Sequence, residues 1–406
     1  MKYFFTGILL VAFFYFSSAS GSKSIRDFGV IPTNSPEVNK VSLQKAIDWA
    51  SGCGAALFVE PSDEPYPVDG GVILKKNVSL IGVNGPTPRG TTHPTKKQPV
   101  GSVFRITDQD NVFITVETGT QIKGIQFWYP EQTINDPNKI IPYPATIQAS
   151  KTSSAQGVYL SCLTFYGEYL AMDFNTSPQN ICELALFEHC YGYPLSGTFI
   201  RIDYCYDIPR ILHCHVNPAI QRFVGGQYSV SVIDAVVAKK TFAYSINHTD
   251  NAQLMDLFTF GTYGGILLGG DTYGQLTNFN FDCVAVGIHK KGNNKQNRNW
   301  QVAQGSIIAN TGEKVENIHP IIIEGQGHIS LSNVEAFSGP NGALTTVPEN
   351  QSCDFMLVKG DQKLTISVFG SRMRNYISDN PITNQNRNAI IQVAASIDKN
   401  ENPFNN

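Results

Sequence analysis

The sequence predicts an all-β parallel solenoid with one turn of chain per repeat, and three observations carry that prediction. Cys190, Cys214, Val237, Phe260, Cys283 and Ser306 are separated by 24, 23, 23, 23 and 23 residues, and Phe165 extends the series 25 residues upstream. Each member sits in a short strand-like segment ("LTFYG", "FEHCYG", "ILHCHV", "IDAVVA", "FTFGT", "NFDCVA", "AQGSII") with no helical pattern between them. A period of 20–50 residues marks stacked units that contact only their neighbours. The third observation is composition. Charged residues make up 16% of the chain and glycine contributes 35 of 406 residues, a balance that suits tight turns and pleated strands.

In chain order, Lys2 followed by the apolar run Tyr3 to Phe16 and the small residues "SSASG" reads as a signal peptide over residues 1–20, cleaved after Ser20. The run is shorter than the ~20 apolar residues needed to span a bilayer. The protein is therefore expected to be secreted or periplasmic, with no membrane attachment after signal removal. Residues 21–75 form an N-terminal cap of strand and helix. Val41, Leu43, Ala46, Ile47 and Ala50 have helical spacing, which predicts a helix near Val41–Ser51 capped by Ser42 or Asn39. "AALFVEP" and "VSLIGVNG" follow as strands.

This N-terminal stretch resembles the opening of the pectate-lyase-superfamily β-helix domain, the one found in rhamnogalacturonases and mannuronan epimerases. Asp27-Phe28-Gly29, the helix "LQKAIDWA", the strand "VEP" and "GGVILKKNVSLIGVNG" carry the likeness. The acidic Gly-Asp-Gly-x-Thr-Asp-Asp run of that family is replaced here by "IPTNSPEVNKVS". The resemblance implies a right-handed, single-stranded parallel β-helix with an N-terminal α-helical cap. It also implies a carbohydrate-active protein, and does not fix the chemistry.

The β-helix body is assigned to residues 76–396, with excursions at 86–108 and 130–143 and insertions after Lys290 and Gly339. Residues 397–406 read as a frayed polar tail. A net charge of −3 with no basic cluster argues against a nucleic-acid partner. Of eight cysteines, Cys190, Cys214 and Cys283 share one register, so core stacking is expected ahead of disulfides. The oligomeric state is not legible.

If Phe165, Cys190, Cys214, Val237, Phe260 and Cys283 point inward, the residues on either side face out. Glu188 falls on the inward side in this register. Thr164, His189, His213, Val236, Thr259 and Asp282 precede the series; Tyr166, Tyr191 and His215 follow three of its members. His189, His213, His215 and Tyr191 would then form one patch across two coils. The pair His213-x-His215 also has a spacing that binds transition metals, although no resident metal is assigned. A second ladder, aligned on "LAMDFN", "FIRIDYC", "YSINHTD", "GILLGGD", "PIIIEG" and "FMLVKG", exposes Asp173, Asp203, Asn247, Glu324 and Lys359, with Asp173 and Asp203 on neighbouring coils.

The candidate catalytic residues are His189, His213, His215, Asp173, Asp203 and Asp282. The candidate substrate-binding residues are Tyr166, Tyr191, Arg201, Tyr204, Arg210 and Trp128, with the loops at 86–108 and 130–143 as a groove wall. Glycosidic hydrolysis needs two carboxyl groups ~5–5.5 or ~6.5–9.5 Å apart, spacings that adjacent or alternate coils supply. β-Elimination needs a base and a cation to neutralise a uronate, with calcium as the cofactor if the protein is a lyase. The Asn-Thr-Asp, Asp-Asp and Gly-His-Gly pattern of polygalacturonases is not present. The expected function is action on a polysaccharide, pectin-like or another acidic glycan. The alternative is a noncatalytic glycan-binding or surface structural solenoid.

Overall fold

The computed structural model describes residues 21–85, 90–293, 298–309, 318–338, 354–374 and 381–404. The expected signal peptide, Cys353 and most of the insertion after Gly339 lie outside them. Among the described residues no helix is long and apolar enough to cross a membrane.

The chain winds as a parallel β-helix. Eleven strands, from Val72–Leu74 to Ile382–Asn384, stack in one parallel sheet, and 27 strands form a second that wraps the remaining faces. The coil at residues 200–216 shows the plan. Ile200–Asp203 lies in the eleven-strand sheet; Cys205–Tyr206, Arg210–Leu212 and His215–Val216 follow in the larger one. Between the last two strands the backbone turns at His213, which is left-handed (φ 55°).

That corner recurs in the coils from Gly124 onward. Gly124, Cys162, His189, His213, Asp256, Asn278, Gln304, Asn333, Gly370 and Ala395 all have φ between 50° and 69°. Backbone hydrogen bonds join successive members, among them His189 N to Leu212 O and His213 N to Met255 O. Glycine, asparagine, aspartate and histidine tolerate this conformation best, which accounts for most of the column.

The α-helix Pro36–Cys53, here α1, closes the N-terminal end. It starts earlier than expected and is capped by Ser35, not Ser42 or Asn39. Pro36 at the first helical position and Gly54 after the last turn set its limits. Asn39 is buried instead and ties the helix to the first coils through Ile31 and Pro67. At the other end the tail is not frayed. Ser396–Ile397 pairs antiparallel with Pro403–Phe404.

The core is filled by inward columns. Phe104, Phe127 and Phe165 stack on successive coils, the last two with centroids 5.1 Å apart; each fully buried ring contributes about 1.5–3 kcal/mol. The next column corrects the expected register. Leu163, Cys190, Cys214, Leu257 and Phe279 are the true neighbours, linked by backbone bonds such as His215 N to Cys190 O and Phe258 N to Cys214 O. The coil from Cys214 to Leu257 is 43 residues long, close to two steps of 23. Val236 and Val237 therefore belong to an inserted helix, Val230–Ala238 (α2). Beyond it the parity flips: Thr259 is buried and Phe260 faces outward. Glu188 also faces outward, as the last residue before the corner. Cys190, Cys214 and Cys283 are buried as expected, and the seven described cysteines are free.

Candidate functional site

Two surfaces carry the chemistry-bearing side chains. The first runs along the corner column. His189 and His213 sit one coil apart with their rings stacked, centroids 4.7 Å and planes 14° apart. His213 Nδ1 donates to Asp256 Oδ2 at 2.9 Å, and Tyr159 Oη donates to Glu188 Oε2 at 2.6 Å. Past the corner, His215 stacks on Phe258 at 4.3 Å and meets the Tyr191 ring edge-on at 4.9 Å. From there a groove of ≈ 570 Å³ follows the helix axis. It is lined by His215, Asp256, Phe258, Asn280, Gln304 and Glu335, among others.

The second surface lies on the eleven-strand sheet. Arg201, Ser245, Leu267 and His289 occupy one outward column on four successive coils. With Lys240, Phe242, Tyr263 and Lys291 they line a pocket of ≈ 370 Å³ that contains no carboxylate. Lys240, Thr241 and Phe242 arrive there because the chain returns from α2 at this point. Phe242 can lie flat because its register partner is Gly264; a Cβ there would be 2.1 Å from the Phe242 ring.

Electrostatics set each group in this pocket. Arg201 donates two hydrogen bonds to Asp173, at 2.9 and 2.7 Å, which raise its already high pKa. Lys240 and Lys291 have no ion-pair partner among the described residues. Burial lowers the pKa of His289 below its usual 6.5 despite a 2.8 Å contact with Glu324. At neutral pH the imidazole is therefore uncharged. Glu324 accepts from Nε2–H, which leaves Nδ1 as the basic nitrogen. Burial raises the Tyr263 pKa, so its hydroxyl stays protonated.

Of the twelve residues singled out from the sequence, some lie on these two surfaces and the others do not. His189 and His213 are neighbours, and His215 lies across the corner from His213, so the His213-x-His215 pair does not converge. Tyr191 and Tyr166 are buried, not exposed. The segment 90–101 folds over Tyr166: Thr91 N and Tyr166 Oη both donate to Gln126 Oε1, and Gln126 Nε2 donates to Val100 O. Lys97 packs on Gly225 and Ser229 N donates to Ile134 O, so both excursions pack on the insertion that carries α2 and cover this face rather than wall a groove on it. Trp128 is half-buried in register with Tyr166. Asp282 shares the outward column of Phe260, and burial raises its carboxyl pKa.

Asp173 and Asp203 are not beside the histidine column. Both belong to the eleven-strand sheet on neighbouring coils, but Asp173 is opposite Arg201 and Asp203 opposite Asn175. Asp203 Oδ1 accepts from His248 Nδ1 at 2.7 Å, and Tyr204 stacks on His248 at 4.5 Å. Arg210 is held by Gln253 Oε1 and Ile208 O. The sequence reading missed Asp256, Lys240, His289 and Lys291. "VGIHKK" is a member of the second ladder, and its position between "GILLGGD" and "PIIIEG" was the available signal. Glu324 and Lys359, read from that ladder, do face each other at 3.8 Å.

Neither a protein-family model nor a curated protein sequence matches the chain. Solved structures do. The pre-mature gene product 12 of bacteriophage phi29 matches with a TM-score of 0.60 at 11% identity, over 92% of this chain and 52% of that one. A tailspike protein of E. coli bacteriophage HK620 matches with a TM-score of 0.50 at 10% identity, over 92% and 66%. The fold is a right-handed parallel β-helix. This β-helix spans about half to two-thirds of the length of those two chains, and at such identity the likeness concerns the fold alone.

Proposed function

We propose that this β-helix is an exported protein that binds an acidic polysaccharide in the pocket on its eleven-strand sheet and cleaves it by β-elimination. The observation that carries the reading is the lining of that pocket. Lys240 and Lys291 place positive charge beside a space that no carboxylate lines, Arg201 adds donors while Asp173 balances its charge, and Phe242 and Tyr263 offer rings for a sugar face to pack on. The chemistry follows from the same residues. The cations neutralise a uronate carboxylate, which acidifies the neighbouring C–H. His289 Nδ1, uncharged at neutral pH, takes that proton. The glycosidic C–O bond then breaks to leave an unsaturated uronate, and the departing oxygen gains a proton from Tyr263 or water. Hydrolysis is less well supported, because it needs two carboxyl groups at the scissile bond. The lysines supply the charge that calcium would otherwise bring.

The test is a panel of polygalacturonate, alginate and neutral glucans, followed by binding and by absorbance of unsaturated uronates. The expected result is binding of an acidic polymer, lost in a Lys240→Ala/Lys291→Ala double variant. His289→Gln should retain binding and lower turnover by ~10²–10⁴-fold. Equal binding of neutral and acidic polymers would reject the acidic-glycan assignment. Acidic-polymer binding without cleavage would select the noncatalytic alternative.

A further inference from the structure

The corner column holds a second arrangement, remote from the cationic pocket and independent of the function assigned to it. One ligand-capable atom from each of Glu188, His189 and His213 lies within 4.8 Å of the other two. All three side chains are half-buried. His189 Nε2 and Glu188 Oε1 are 3.9 Å apart. Left-handed backbone at positions 189 and 213 (φ 52° and 55°) turns both imidazoles outward from the same corner, so the stacking of coils aligns them.

We infer that Glu188, His189 and His213 form a binding site for a divalent transition ion of the zinc class. Two imidazoles and one carboxylate suit zinc, copper or nickel, and do not suit calcium, which takes oxygen ligands. Three protein ligands leave a fourth position open to solvent. Around a tetrahedral ion with ~2.1 Å bonds the donor atoms stand ~3.4 Å apart, so modest rotations of the three side chains close the set.

A second observation separates this cluster from polar residues that merely tolerate a left-handed corner. Asn278, Gln304 and Asn333 occupy the same column with no such partners among the described residues. The outward atoms of the cluster, by contrast, are already oriented. Asp256 accepts from His213 Nδ1–H, which leaves Nε2 unprotonated for a metal. Tyr159 donates to Glu188 Oε2, which leaves Oε1 free. A carboxylate behind a ligating histidine is the arrangement that fixes its tautomer and raises its basicity. The ligands come from two coils and the orienting groups from one coil on either side, so four consecutive turns converge on one point.

The experiment is titration of the untagged, metal-stripped protein with zinc chloride by calorimetry, and with cobalt(II) by visible absorption. A Cys53→Ser background removes the exposed thiol. One zinc should bind per chain. Cobalt should develop the visible bands of a low-coordinate site. His189→Ala and His213→Ala should each weaken zinc binding by at least ~100-fold, and Asp256→Asn by ~10–100-fold. His328→Ala, on a later coil, should leave it unchanged. Circular dichroism and melting temperature verify that these surface variants fold. No zinc binding by the parent protein, or binding that survives the His189→Ala/His213→Ala double change, would overturn the site. Unchanged affinity in Asp256→Asn would overturn the orienting role given to that carboxylate.

Discussion

Glu168 is a carboxyl group that the proposed chemistry does not use, yet it has a measurable effect. It is wholly buried, no side chain among the described residues hydrogen-bonds to either oxygen, and only the backbone amides of Glu168 and Tyr193 come close enough to favour its charged form. Burial pushes its pKa from 4.5 up to about 8. Gly192 makes room for it, since a Cβ at that position would stand 2.3 Å from Glu168 Oε1. An unfolded chain gives up this proton near pH 4.5, whereas the folded chain keeps it until near pH 8. Over that interval the native state binds more protons, so this group's contribution to stability is complete below about 4.5 and falls as pH rises toward 8. Melting temperatures between pH 5 and 8 should therefore decline less steeply in Glu168→Gln than in the parent. Identical slopes would assign the dependence elsewhere. Nothing in "LTFYGEYL" announces this burial. The alternation of apolar residues places Phe165 inside, but that Glu168 is enclosed depends on Tyr129 from the neighbouring coil and on Tyr228, which arrives from the insertion that carries α2.

Among the elements, the coil junction at Lys290 is tied by three hydrogen bonds from one side chain. Its buried ammonium donates to Gly292 O, Glu324 O and Gln326 O, at 2.7, 3.2 and 2.5 Å. Burial lowers its pKa to about 8, while the three carbonyls hold the proton in place. Lys290→Met keeps most of the volume and strands the carbonyls. It should cost at least about 1–3 kcal/mol, the penalty for a single acceptor that water cannot reach, and chemical denaturation would measure it. A loss below 0.5 kcal/mol would show that water replaces the lysine. Element-level reading succeeded where coils have no insertions. His189 and His213 were identified as neighbours because the coil between them is a plain 24-residue turn. It failed across α2. The segment "VIDAVVA" is as apolar as a strand, and the 43-residue coil mimics two short ones, so the periodicity ran through the helix and concealed Asp256 as the next member of the corner column. The burial of Tyr166 and Tyr191 was equally hidden, because strand periodicity says which face a residue takes and not which excursion folds over it.

For the molecule as a whole, each coil is held chiefly by the coil on either side, which makes stability a property of position along the axis. Hydrogen exchange should be slowest in the middle coils, at Leu160, Phe187 and Ile211, and fastest in the coils after Leu364, with α1 protecting the opposite end. Uniform protection from end to end would contradict this graded picture. The reversal at the C-terminal end has a different kind of consequence. A stack of parallel strands is a template, and its last strand invites another molecule to add the next one. Here Pro403–Phe404 runs opposite to Ser396–Ile397 along that ladder, and Pro403 has no amide hydrogen to offer a newcomer. At Ser396–Ile397 the sheet is therefore covered by a strand of the wrong polarity to be copied, which discourages a parallel newcomer from pairing there.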